Sequence, residues 1–211
     1  MALQQQCLAA GCAKIISFMA EGTQRLPPSV VADLLRDSMA QGQKPYLTIT
    51  SGSMRPLLHV GDEVQLEPVT LADLNEGDII TIAAPAALLT HRFWGWVDKE
   101  GQRFMVTRGD RFLLPDSPWA PTHLVGRVLA RRRQRQVLHL RQGKEVWVGR
   151  YVARIAAAEG RLFSPWYQSA DTPGYHKPRL PLLSFVITQI RRLIYLWVTL
   201  VVALASKLYR S

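Results

Sequence analysis

A serine hydroxyl is a poor nucleophile until a neighbouring base takes its proton, and the base works best when a third group fixes its tautomer. Three kinds of position in this 211-residue chain fit those roles by residue type and setting. Ser53 stands in Thr50-Ser51-Gly52-Ser53-Met54-Arg55-Pro56, where a glycine lets the backbone bend and a proline restricts the chain just downstream. Thr90-His91-Arg92 offers an imidazole as the base. Thr107-Arg108-Gly109-Asp110 and Leu114-Pro115-Asp116-Ser117 offer two carboxylates, Asp110 and Asp116, to orient it. Taken singly, Ser51-Gly52-Ser53 reads as a turn, Asp62 and Asp110 as turn-forming side chains, and His91 as an ordinary strand histidine. Their joint occurrence beside expected strand ends, where a side chain can leave the core, favours chemistry.

The surrounding pattern is one of short strands. Residues 46–50 lead into Ser53, 63–67 alternate as a half-buried strand does, and Glu76-Gly77-Asp78 turns the chain into a buried strand over 79–82. Residues 88–97 and 103–108 read as a hairpin with its turn at 98–101, and 124–130 and 136–140 as further strands. A mainly β domain over about 44–142 follows, a twisted and partly closed sheet. Residues 1–43 form an extension. Its apolar patch Ile15, Ile16, Phe18, Met19 is too short to span a bilayer. Pro27-Pro28 then precedes a helix over about 29–40, with Ser29 as cap, Val30, Val31, Leu34, Leu35 and Met39 at helical spacing, and Gly42 and Pro45 as terminators. Residues 143–181 combine a helix, with Val146, Trp147, Tyr151, Val152, Ile155 and Leu162 on one face and Arg150, Arg154 and Arg161 exposed, with an extended proline-rich linker over 163–181. Residues 182–211 carry an apolar helix over 182–208, a candidate membrane anchor.

Charge is unevenly distributed. Residues 1–120 carry a net −3 and residues 121–211 a net +13. A cationic region meets nucleic acid or an anionic membrane surface, and the apolar neighbours favour membrane. Arg131-Arg132-Arg133 with Arg135 reads as a solvated hairpin rather than a nucleic-acid site, because no stacking aromatics interleave. Residues 185–204 have the roughly 20 residues that a spanning helix requires, but Arg191 and Arg192 fall in the first third. Each costs about 2.5–3.5 kcal/mol if central, and the uninterrupted run 193–205 is short. An interfacial or partly inserted helix, with Tyr195, Trp197 and Tyr209 near the boundary, therefore ranks ahead of a full span. The alternative is a hydrophobic helix covering the β domain of a soluble cytoplasmic protein. Cys7 and Cys12 have no third or fourth partner for zinc, and His59, His123, His139 and His176 lack metal-ligand spacing, so neither metal nor cofactor is expected. A removable signal peptide is not expected either.

The motifs also occur in a familiar order. Ser51-Gly52-Ser53-Met54-Arg55-Pro56 with Gly61-Asp62, then Gly77-Asp78-Ile79-Ile80, His91-Arg92, Thr107-Arg108-Gly109-Asp110 with Asp116 after it, and Val125-Gly126-Arg127 together resemble the signal peptidase clan of serine peptidases, over about residues 46–130. Bacterial type I signal peptidases and the related self-cleaving repressors use a lysine as base. His91 makes the chain similar to the histidine-using branch, which includes the endoplasmic-reticulum and archaeal enzymes. The resemblance implies Ser53 as nucleophile, His91 as general base and Asp116, a better match than Asp110, as the orienting acid. It implies that Ser51 and the backbone N–H of Ser53 hold the oxyanion. The substrate implied is a peptide or precursor protein with small side chains beside the cleaved bond. Family members usually carry a membrane anchor just before the serine motif, whereas here the apolar segment is C-terminal. A rival reading is a catalytically silent peptidase fold that binds peptides or a partner. A self-cleaving repressor ranks last, for want of the lysine and of a DNA-binding helix pair in residues 1–45.

Overall fold

The computed structural model describes residues 26–141, 146–169, 176–178 and 181–208. The apolar patch at Ile15–Met19, both cysteines and Tyr209 lie outside the described residues. Pro28 opens helix α1 (Pro28–Ala40). A proline suits a first helical position because its φ is preset and its missing N–H has no helical partner to lose. The helix thus starts one residue earlier than expected, and Ser29 falls inside the first turn, where no side-chain capping bond forms. Gly42, at φ 78°, ends the helix. Its N–H donates to the Met39 carbonyl and that of Gln43 to the Ser38 carbonyl, which satisfies two acceptors of the last turn. Ala32, Leu35 and Met39 pack into the core, while Val30 and Leu34 are exposed.

Seven strands follow: β1 (Tyr46–Thr48), β2 (Glu63–Glu67), β3 (Ile79–Ala83), β4 (Leu88–Lys99), β5 (Gln102–Arg108), β6 (Leu124–Arg133) and β7 (Gln136–His139). All pair antiparallel in one sheet of order β1-β2-β6-β3-β4-β5. The ten-residue β6 holds the middle: β2 runs along one edge, and β3 and then β7 pair with its other edge in succession. Bulges at Gln65/Leu66, Thr81/Ile82 and Phe93/Gly95 add local twist. The expected partial closure is not found, because β1 and β5 lie at opposite ends of the sheet and do not pair. The β4–β5 hairpin is longer than the alternation implied, and its turn shrinks to Glu100 at φ 51° and Gly101 at φ 75°. Two positive φ values in a two-residue loop match the right-handed twist of the flanking strands.

The run Ile79-Ile80-Thr81-Ile82 is buried on both faces, as its lack of polar alternation implies. Ile79 joins a large core with Ile49, Met54, Leu57, Leu58, Val64, Leu66 and the helices. Ile80 and Ile82 join a smaller one with Leu74, Phe93 and Met105.

After the sheet come α2 (Val146–Phe163), a short hairpin of β8 (Tyr167–Ser169) and β9 (His176–Pro178), and α3 (Pro181–Leu208). The segment expected as an extended linker thus contains a turn of 3-10 helix at Ser164–Trp166 and two paired strands. One face of α3 is part of the domain: Val198, Val202 and Ala205 are no more than 3 % exposed and share the large core with Val148 and Val152 of α2. The opposite face leaves Phe185, Leu193, Leu196, Trp197, Leu200 and Leu204 at 50–68 % exposure.

Of the arginines expected to form a solvated hairpin, Arg132 and Arg133 are half-exposed and Arg135 is exposed, but Arg131 is structural. Arg131 lies opposite Val64, on the core side of β6, and is fully buried. Its guanidinium donates to the Leu57 carbonyl at 3.0 Å and to Ser206 Oγ of α3 at 3.1 Å. Burial first, then Arg133, pushes its pKa down to about 10 against the opposing pull of Asp62, so it remains a cation at neutral pH. Arg132 pairs with Glu63 at 2.6 Å, and Arg133 holds both oxygens of Asp62 at 2.6 and 2.7 Å. Asp62 also accepts the His59 N–H at 2.8 Å, the turn-forming role expected of it.

Candidate functional site

β4 and β5 carry the base and its support. In their register Phe93 faces Thr107 and Arg92 faces Arg108, so His91 emerges level with the end of β5, where the chain turns through residues 109–116. His91 Nδ1 lies 2.6 Å from Asp116 Oδ2, and the same oxygen accepts the Thr107 hydroxyl at 2.7 Å. A carboxylate only accepts, so the proton of this bond sits on Nδ1 and a neutral His91 keeps its lone pair on Nε2. The arrangement is enclosed, with Thr107 fully buried, His91 3 % exposed and the Asp116 side chain 19 % exposed. The edge of Phe112 meets the imidazole at a centroid distance of 6.1 Å.

The free end of the imidazole lies near Gly109, which separates it from the Ser53 carbonyl, and it makes no hydrogen bond with Ser53 Oγ. Nε2 is buried and has no hydrogen-bond partner among the described residues. Gly109 measures how close it comes to Ser53: a methyl group added there would meet the Ser53 carbonyl at 2.8 Å and His91 Nε2 at 3.1 Å. Only a residue without Cβ fits between them. The Ser53 carbonyl accepts the Arg111 N–H at 3.0 Å, and its Oγ lies 3.2 Å from Ser51 Oγ. Ser53 is half-buried and Ser51 exposed, so a ligand can reach both hydroxyls.

The two candidate carboxylates have different partners. Asp116 touches His91, whereas Asp110 is held by Arg92 through a bidentate pair, Nε to Oδ1 at 2.7 Å and Nη2 to Oδ2 at 2.6 Å. Both side chains of that pair are 1 % exposed, and the remaining guanidinium nitrogen donates to the Gly77 carbonyl at 2.7 Å. The structure therefore brings Ser51, Ser53, His91 and Asp116 into one neighbourhood and gives Asp110 an ion pair instead. Thr107 and Arg92 had no role assigned from sequence. Their signal was two polar residues at strand positions whose neighbours Phe93 and Met105 are core.

Among the described residues no group of three or more His, Cys, Asp or Glu side chains is placed to hold a metal ion. A cavity of about 630 Å³ lies beside α2, walled by Asp78, Arg92, Arg141 and Arg150 but by none of Ser53, His91 and Asp116. The hydroxyl–imidazole–carboxylate neighbourhood lies outside it. No protein-family model matches the sequence, and no curated protein matches it.

The contrast between the two aspartates is measurable. Asp110→Ala strands a buried guanidinium and is expected to lower unfolding free energy by about 3–5 kcal/mol in urea titration. Asp116→Ala is expected to cost about 1–3 kcal/mol, as two donors lose their acceptor. The low-field Nδ1–H proton resonance of His91 is expected to vanish in Asp116→Ala and to persist in Asp110→Asn. The opposite pattern would reverse the assignment.

Proposed function

We propose that this protein is a serine endopeptidase of signal-peptidase type that cleaves a peptide or precursor protein at a membrane. The observation that carries this reading is the Thr107–Asp116–His91 chain of hydrogen bonds, whose one free nitrogen lies beside the Ser53 segment. Ser53 Oγ attacks the scissile carbonyl carbon as its proton passes to His91 Nε2. The Ser53 N–H and the Ser51 hydroxyl stabilise the oxyanion. When the C–N bond breaks, His91 returns that proton to the leaving amine. A water deprotonated by the same nitrogen then hydrolyses the acyl-serine. Asp116 holds the tautomer and stabilises the imidazolium, and Thr107 restricts its carboxylate. By resemblance, small side chains flank the cleaved bond.

Digestion of a peptide library, read by mass spectrometry, tests this. Ser53→Ala and His91→Ala are expected to lower kcat by roughly 10⁴–10⁶, and Asp116→Asn by about 10⁴. Equal cleavage by wild type and all three variants would sink the mechanism. The second reading, a fold that binds peptides without cutting, draws on the missing hydrogen bond to His91 Nε2. Saturable peptide binding with no cleavage by wild type would select it.

The C-terminal helix supports a membrane as the place of action. Its Ser184–Leu208 segment is long and apolar enough to cross a bilayer, judged by length and composition. Since Val198, Val202 and Ala205 belong to the domain core, the placement that keeps the fold intact lays α3 along the surface. Its outer leucines and Trp197 then sit at the headgroup–acyl boundary, and exposed Arg192 is available to anionic headgroups. In flotation with phosphatidylcholine–phosphatidylglycerol vesicles, wild type is expected to float and Leu193→Asp with Leu196→Asp to remain below. A wild type that stays unbound would remove the membrane from the proposal.

A further inference from the structure

α3 does more than cover the domain. Of its two adjacent arginines, Arg192 is exposed, while the Arg191 side chain turns inward and is 26 % exposed. Its Nη2 donates to the Arg111 carbonyl at 2.8 Å, and its Nε lies 3.6 Å from Glu159 Oε1 of α2. Burial pushes the Glu159 carboxyl up from its ordinary value, while Arg191 and Arg108 pull it back down. Arg111 is thus bonded on both sides, its carbonyl to α3 and its N–H to the Ser53 carbonyl. The same contact walls a crevice of about 40 Å³ that Arg55 and Pro56, just past Ser53, also line.

Resting on the reading of Ser53 as nucleophile, we propose that Arg191 is a positioning residue: through Arg111 it fixes the Ser53 backbone against His91, so that docking of α3 completes the site. The Arg191 guanidinium is taken partly out of solvent. Here it is directed to a loop carbonyl one hydrogen bond from Ser53. Backbone misplacements of about 1 Å are enough to cost on the order of 10²-fold in rate. The helix that meets the membrane and the serine that meets the substrate are therefore mechanically joined.

The test uses the full chain with Arg191→Ala, Arg191→Lys and, as control, Tyr151→Phe. The control removes a different α3–α2 hydrogen bond, from Trp197 Nε1 to Tyr151 Oη at 2.8 Å. Two readouts are taken, kcat and KM on a cleaved library peptide and hydrogen exchange of the Arg111 amide. Arg191→Ala is expected to lower kcat about 10–100-fold with KM within about twofold, and to speed Arg111 exchange about tenfold. Arg191→Lys, which keeps a charged donor, is expected to recover part of both, and Tyr151→Phe to change neither. Unchanged Arg111 exchange in Arg191→Ala would overturn the strut whatever the chemistry, as would an equal effect from Tyr151→Phe. Faster exchange in a protein whose cleavage survives Ser53→Ala would keep the strut and overturn the role of Ser53.

Discussion

The buried Arg92–Asp110 pair is the constraint on which the rest of the candidate site depends. A buried ion pair is weak evidence of stability in itself, because desolvation offsets the Coulomb gain unless the hydrogen bonds are complete. Here two bonds reach the carboxylate and a third reaches the Gly77 carbonyl, in a setting where each side chain is 1 % exposed. Arg92 follows His91 on β4, and Asp110 follows Gly109, the residue wedged between His91 Nε2 and the Ser53 carbonyl. The strand that carries the base thus also grips the loop that shapes its surroundings. Successive side chains of a strand point to opposite faces, so one β4 dipeptide can serve both ends.

Elsewhere the domain uses arginines as connectors. Arg131 ties Leu57, a few residues past Ser53, to Ser206 of α3, and Arg191 ties α3 to Arg111. Arg108, also buried, donates to the Leu113 and Ala156 carbonyls and stacks on Trp94 at 4.7 Å. Burial lowers its pKa, with Asp110 and Glu159 opposing. Long aliphatic stems fill apolar space while the heads satisfy backbone carbonyls that would otherwise be orphaned. The consequence is a helix whose inner face belongs to the protein and whose outer apolar face is left exposed.

Much of this was legible in the residues. β2 keeps the expected bounds, β3, α1 and α2 differ by a residue or so, and Ser53, His91 and Asp116 fall in one neighbourhood. What was not legible depends on geometry that no short window contains. Asp110 and Asp116 are equivalent by type and are ranked only by resemblance; the turn after β5 is what brings one to Arg92 and the other to His91. Arg131 looked solvated because its neighbours are arginines, yet strand alternation puts it on the core side with Val64. Ser29 reads as a cap only if the helix begins after Pro28, whereas Pro28 is itself the first helical residue. Sheet closure depends on pairing between ends that lie far apart in the chain.

The most direct measurement of the central claim is mass-spectrometric mapping of the adduct formed with a serine-directed fluorophosphonate. If His91, oriented by Asp116, activates Ser53, wild type acquires one adduct on Ser53, Asp116→Asn acquires it far more slowly, and His91→Ala acquires none. An adduct forming equally fast on His91→Ala, or one on another serine while Ser53 stays unmodified, would contradict it.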